Sequence, residues 1–339
     1  MENLNITENL NITENGTQSS DCSMPNYHTA EKIGKCFAYC LILAVSLAGN
    51  SLVVIIICKT KTMRTTTNYF ILNMAMSDLL QPILVFPSKI IEIYGTFWFF
   101  RGEYGQTFCK VVLLIQYVSC LVSIQNLVLI AVDRFGAVVF PFRRPLFGSK
   151  LCPFFILTTW VAAIALSSST FYKAVEYKGK FSCEWVWQYT FLADNYIRAV
   201  PFVFMTVSFA LIVILYSVIL FKLKSQKTPG EQSVNTVTQR ERRQRNVLRM
   251  AVAIVTGFVV CWGPSNIIAL LTVFVWNNAQ RMSCEIANYW VISLFLAYVN
   301  CAINPLICFT FSGKYRQGLK VLLRCHKKPS REVIATTTE

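Results

Sequence analysis

Charge is scarce in this sequence and stands where chemistry would use it. Of the 339 residues, 54% are hydrophobic and 14% are charged. One carboxylate, Asp78, interrupts an otherwise uncharged run over residues 69–88. An acid at that depth in an apolar segment can hold a cation or a proton. Asp133-Arg134-Phe135 closes a second uncharged run, 111–132. An arginine there can reach an aqueous boundary or pair with the acid beside it. Acid–base and metal chemistry lack their groups. The 2 histidines, His28 and His326, stand in opposite tails, and no cysteine pair has metal-ligand spacing. The chain therefore offers no catalytic residues, no resident cofactor and no metal site, and it does not read as an enzyme.

The elements that must position these residues are apolar and long. Uncharged runs cover 36–58, 111–132, 151–172, 199–221, 250–280 and 286–313, and 69–88 makes a seventh. About 20 apolar residues cross a bilayer as a helix. The mean hydropathy of +0.47 belongs to a membrane protein. The sequence predicts an all-α membrane protein, a bundle of seven transmembrane helices. Of the 32 Lys and Arg, about two thirds fall on one side of these spans and include the C-terminal tail. Basic flanks stay in the cytoplasm, which places the N terminus outside a multi-pass protein of the plasma membrane. The net charge of +15 then faces anionic lipid and acidic partners rather than nucleic acid.

Along the third span, Gln116, Cys120, Ser123, Leu127, Ile130 and Arg134 recur every three or four residues and share one face. Polar groups in lipid face a bundle interior or a cavity, so this helix is expected at the bundle centre. The chain divides into an extracellular tail, 1–32, the helical bundle, 33–311, an amphipathic helix along the inner leaflet, 312–325, and a cytoplasmic tail, 326–339. In the first tail, Asn5, Asn11 and Asn15 each open an Asn-x-Thr acceptor for glycosylation. In the amphipathic segment, Tyr315, Leu319, Leu322 and Leu323 oppose Lys314, Arg316, Lys320 and Arg324, and Cys325 is a candidate for palmitoylation. Thr336, Thr337 and Thr338 are candidates for phosphate. Between the fourth and fifth spans, two runs that alternate in polarity flank Lys178-Gly179-Lys180 and predict a β-hairpin carrying Cys183 and Glu184.

Gly49-Asn50, Asp78, Trp98, Cys109, Asp133-Arg134-Phe135, Trp160, Cys183, Cys261-Trp262-Gly263-Pro264 and Asn304-Pro305 follow one another in order. With these motifs the chain resembles the class A, or rhodopsin-like, G-protein-coupled receptors over nearly all of 33–325, and most closely their neuropeptide-receptor branch. The resemblance implies a disulfide between Cys109 and Cys183. It implies a polar pocket of Asn50, Asp78, Ser123, Asn300 and Asn304 that holds an allosteric sodium ion at Asp78. It implies an activation switch of Tyr216, Phe258, Trp262, Pro264, Asn304 and Pro305, in which the sixth helix swings outward. Asp133, Arg134 and Phe135 would then meet a heterotrimeric G protein, with arrestin and a receptor kinase as further partners.

Three positions depart from the family pattern. Cys308 stands where a tyrosine is expected, Ser208 where a proline is expected, with Pro201 earlier in the span, and Gln244 where an acid often locks Arg134. These departures imply a looser inactive state with some basal activity.

The third span carries Gln116, beside Tyr117, where amine receptors carry an Asp, and the seventh span has no Lys for a Schiff base. The outer acids, Glu184 among them, favour an amidated, Arg-containing peptide. The expected ligand pocket is Gln116, Tyr117, Cys120, Trp262, Asn266, Trp290, Leu294, Tyr298 and Glu184. The alternatives are a lipid or other small non-amine ligand, and a constitutively active orphan receptor. A transporter or channel would need a continuous polar path and usually internal repeats, and the sequence has neither. Whether Cys22 pairs with Cys284 stays open.

Overall fold

The computed structural model describes residues 29–94, 102–140, 147–148, 151–173, 192–225, 234–275 and 284–325. The described residues form no strand. The expected hairpin with Cys183 and Glu184, Trp98, and the acceptors Asn5, Asn11 and Asn15 lie outside them.

The helices are α1 (Thr29–Lys59), α2 (Thr66–Asp78), α3 (Phe86–Tyr94), α4 (Gly102–Val139), α5 (Cys152–Lys173), α6 (Leu192–Ser225), α7 (Val234–Phe274), α8 (Cys284–Phe311) and α9 (Gly313–Cys325). Among the described residues, six stretches are long and apolar enough to cross a membrane, and Cys152–Ser168 of α5 is a shorter apolar helix. One of the six is Thr66–Ile91, which joins α2 to α3. Its middle is a π turn over Gln81–Val85, with Pro82 in its first turn. Pro82 has no N–H to give to the ladder, and the widened turn accommodates that loss.

Local signals set the ends. Lys59 lies in the last turn of α1, where its charge complements the helix dipole. A 3-10 turn over Lys61–Met63 follows, and the Thr65 side chain then accepts from the Asn68 N–H to cap α2. At 38 residues α4 is about 57 Å long, more than the hydrocarbon needs, and Arg134 lies near its C-terminal end.

As expected of a central helix, α4 packs on α2, α5, α6 and α7. Its polar stripe is buried: Gln116, Cys120, Ser123, Leu127 and Ile130 are each 4% exposed or less. Between α1 and α8 the contact depends on a missing side chain. A Cβ on Gly49 would lie 2.7 Å from Pro305 Cγ, so only glycine admits the proline ring there. The Gly49-Asn50 and Asn304-Pro305 motifs therefore meet face to face.

Candidate functional site

Three polar groups line the bundle axis. At the inner mouth, Arg134 Nη2 donates to Thr67 Oγ1 at 2.6 Å and also bonds Asp133. Thr67 Oγ1 in turn donates a hydrogen bond to Asp133 Oδ2 at 2.8 Å. The hydroxyl thus accepts from the arginine and donates to the acid, so Arg134 is held toward α2. Asp133 is buried, while the Arg134 side chain keeps 27% of its surface exposed. Phe135 packs edge-on to Phe140. The buried Tyr216 hydroxyl and Arg134 Nε have no partner among the described residues. An inner mouth built this way can release a guanidinium to an incoming acceptor by exchanging short bonds.

At mid-bundle, Asp78 takes two bonds, Oδ1 from Ser123 Oγ at 3.0 Å and Oδ2 from Asn304 Nδ2 at 2.7 Å. The network extends outward through serines that composition alone did not single out. Ser77 and Ser123 lie 3.1 Å apart, Ser119 donates to the Ser77 carbonyl at 2.9 Å, and Gln81 Nε2 donates to Ser119 at 3.2 Å. The buried oxygens Gln81 Oε1, Asn300 Oδ1 and Asn304 Oδ1 have no hydrogen-bond partner among the described residues. A carboxylate and the unpartnered amide oxygen of the Asn304 beside it are oxygen groups of the kind a hard cation takes. Asn50 does different work. Its Nδ2 donates to the Cys301 carbonyl at 2.9 Å and the Ser46 carbonyl at 3.0 Å, tying α1 to α8 rather than reaching Asp78. Among the described residues, no group of three or more His, Cys, Asp or Glu could hold a metal.

Toward the outer end, Tyr298 of α8 donates its hydroxyl to Gln116 Oε1 of α4 at 3.2 Å. The expected pocket residues divide between two clusters. Tyr117 meets Phe202 edge-on at 6.2 Å, and Trp290 packs on that group with Ala269. Leu294 and Tyr298 instead pack with Val85, Phe86 and Val112. Helical spacing put Trp290, Leu294 and Tyr298 on one face, but the neighbours on either side of that face differ. Below them, Phe258 stacks on Trp262 at 6.2 Å, with both rings and Cys120 buried. Pro264 lies inside α7, which stays helical through it. Asn266 Nδ2 donates to Thr206 Oγ1 at 2.7 Å, and its buried Oδ1 is unpartnered among the described residues. Cys109 is held in a disulfide.

Several working residues escaped the sequence reading. Thr67, Ser77, Gln81 and Ser119 are common polar residues, and only the depth of each in its span marked it. Asn73 accepts from Trp160 Nε1 at 2.8 Å and donates to Asn126 and Thr159 at 3.1 Å, which turns the half-buried tryptophan toward α2.

Residues 49–307 match the family model described as 7 transmembrane receptor (rhodopsin family). The neuromedin-U receptor 2 of Mus musculus is 26% identical, over 99% of this chain and 87% of its own length. The substance-K receptor of Mus musculus is 28% identical, over 92% of this chain and 80% of its own. The neuropeptide FF receptor 1 of Homo sapiens is 28% identical, over 86% of this chain and 70% of its own. The family match takes in Asp78, Arg134, Trp262 and Asn304 together, and with it the chain belongs to the rhodopsin family of seven-transmembrane receptors.

Proposed function

We propose that this chain is a plasma-membrane receptor for an extracellular amidated peptide and that it activates a heterotrimeric G protein. The observation that carries the reading is the Gln116–Tyr298 bond. It joins α4 to α8 through a neutral amide, so at this depth the pocket offers its ligand hydrogen bonds rather than the fixed carboxylate of an amine site. A relative named for neuropeptide FF supports a peptide as the ligand. Glu184 and the other outer acids would meet a basic peptide.

The closed arrangement, on this reading, is the one in which Arg134 is held by Asp133 and Thr67. Ligand pressing on Trp262 repacks it against Phe258, and α7 pivots at Pro264. Arg134 then exchanges Thr67 for an acceptor on the G protein, and Tyr216 finds a partner. Asp78, with Asn300 and Asn304, would hold a sodium ion that favours the closed arrangement by linking α2 to α8. We place α9 along the inner leaflet, anchored by a lipid chain on Cys325, and leave arrestin and a receptor kinase to the cytoplasmic tail. Glycans on Asn5, Asn11 and Asn15 and a Cys109–Cys183 disulfide complete the outer face.

The test is a screen of amidated peptides on cells expressing the full chain, read by calcium release through a promiscuous G protein. A response to amidated peptides that the matching free acids fail to give supports the reading. A response confined to lipids, or signalling that no peptide changes, would replace the ligand class.

A further inference from the structure

Cys308 leaves the inner end of α8 without the phenol that the family pattern leads one to expect, and a phenol stands seven residues later. Tyr315 of α9 is 1% exposed. Its hydroxyl donates to Asn68 Oδ1 at 3.2 Å. Asn68 is itself fixed, because its Nδ2 donates to the Met63 carbonyl at 2.6 Å and its backbone N–H to Thr65 Oγ1 at 3.4 Å. The amide nitrogen is thereby committed, and its oxygen is turned toward the phenol.

Two further contacts seat the ring. Phe309 meets it edge-on at 6.1 Å. One turn later, Gly318 lies so close to α1 that a Cβ there would come within 2.6 Å of Ile56. Only Ser312 separates α8 from α9, and its N–H donates to the Cys308 carbonyl at 3.1 Å. Where α9 sits, the end of α8 must follow.

The neighbour of Asn68 gives this arrangement a consequence for signalling. Thr67 bonds Asp133 and Arg134, so consecutive residues in the first turn of α2 hold the inner arginine and the α9 phenol. A phenylalanine would fill the same apolar space at Tyr315. The hydroxyl brings a buried polar group that costs stability unless it is bonded, and Asn68 supplies the bond. Burial also pushes the phenol well above its ordinary value, so it remains a donor at physiological pH.

We infer that the Tyr315 hydroxyl, bonded to Asn68, is the positioning group that clamps α9 and the inner end of α8 in the closed arrangement, the part Cys308 cannot play. The inference rests on the G-protein reading above for its signalling consequence, and on geometry alone for the clamp.

The experiment uses the full chain with Tyr315→Phe, Asn68→Ala and both together. Ligand-independent signalling is measured per receptor at the cell surface. Loss of one buried hydrogen bond should raise it roughly fivefold in Tyr315→Phe. The double variant should signal no more than Asn68→Ala alone, because both remove the same bond. In the purified receptor, amide exchange across 313–325 should be faster in Tyr315→Phe. Unchanged signalling per receptor with unchanged exchange overturns the clamp, as do effects of the two substitutions that simply multiply. A part in folding alone would lower surface level without raising the signal per receptor, and that result also overturns it. Arg134→Ala is the control. If it leaves the wild-type signal intact, the G-protein reading fails, and the exchange measurement alone decides the clamp.

Discussion

Asn304 donates to the carboxylate of Asp78 at 2.7 Å, joining α8 to α2 across the middle of the bundle. Ser123 holds the other oxygen from α4 at 3.0 Å. Three helices thus converge on one buried charge, and each must move if that charge changes its company.

The first expectation concerns that charge. A cation held at Asp78 should stabilise the receptor by mass action, about 1.4 kcal/mol at a tenfold excess over its Kd. The purified chain should melt a few degrees higher in sodium chloride than in N-methyl-D-glucamine chloride. Asp78→Asn should abolish the difference. A salt effect of equal size in both proteins would remove the cation from Asp78.

A second expectation follows from Gly49. Its Cβ would meet Pro305 Cγ at 2.7 Å, and a ring in a helix–helix contact has little room to yield. Gly49→Ala should cost about 1–3 kcal/mol through overpacking. Melting of the purified receptor and its surface level in cells measure that cost. Unchanged melting would show that α1 can shift away from α8 freely.

Thr67 gives the third. Thr67→Val keeps the side chain's shape and removes the hydroxyl that links Asp133 to Arg134. Arg134 then keeps Asp133 as its only bonded partner among the described residues. Basal signalling per surface receptor should rise by roughly tenfold or more, because the hydroxyl makes two hydrogen bonds to charged groups, each worth about 1.5–3 kcal/mol. A fall would mean that Thr67 supports the open arrangement instead.

The outer pocket supplies the fourth. Tyr298→Phe removes one hydroxyl and frees Gln116 to turn, which should weaken an activating peptide roughly fivefold. Gln116→Leu should cost more, because it removes the whole amide that a ligand would meet and not only its bond to Tyr298. Potency measured at matched surface level distinguishes the two. Equal potency in all three proteins would move the ligand away from this bond.

Much of this architecture was legible beforehand, for a physical reason. Lipid leaves only helices and closed barrels as spanning structures, and runs of this length suit helices, so the spans could be read from uncharged runs, and the α4 stripe from its spacing of three and four. Partner choice was not legible. Asn50 and Asp78 are both buried polar residues, yet Asn50 spends its amide on the Cys301 and Ser46 carbonyls. Trp290 and Tyr298 share a helical face, yet they join different clusters because a face has two sides. Tyr315 shows the same limit most sharply. Alternation of apolar and basic residues placed it with Leu319 and Leu322 on a lipid-facing stripe. The structure instead buries it against the first turn of α2. Apolar spacing separates a dry face from a wet one, but it does not say whether the dry side is lipid or protein.

The central claim is that an outer ligand is read at the inner mouth by Arg134. The measurement is calcium release to an amidated peptide in cells expressing the full chain or Arg134→Ala, at equal surface level and equal peptide binding. The account expects the wild-type receptor to respond and Arg134→Ala to bind the peptide yet stay silent. A variant that binds and signals as strongly as the wild type would contradict it.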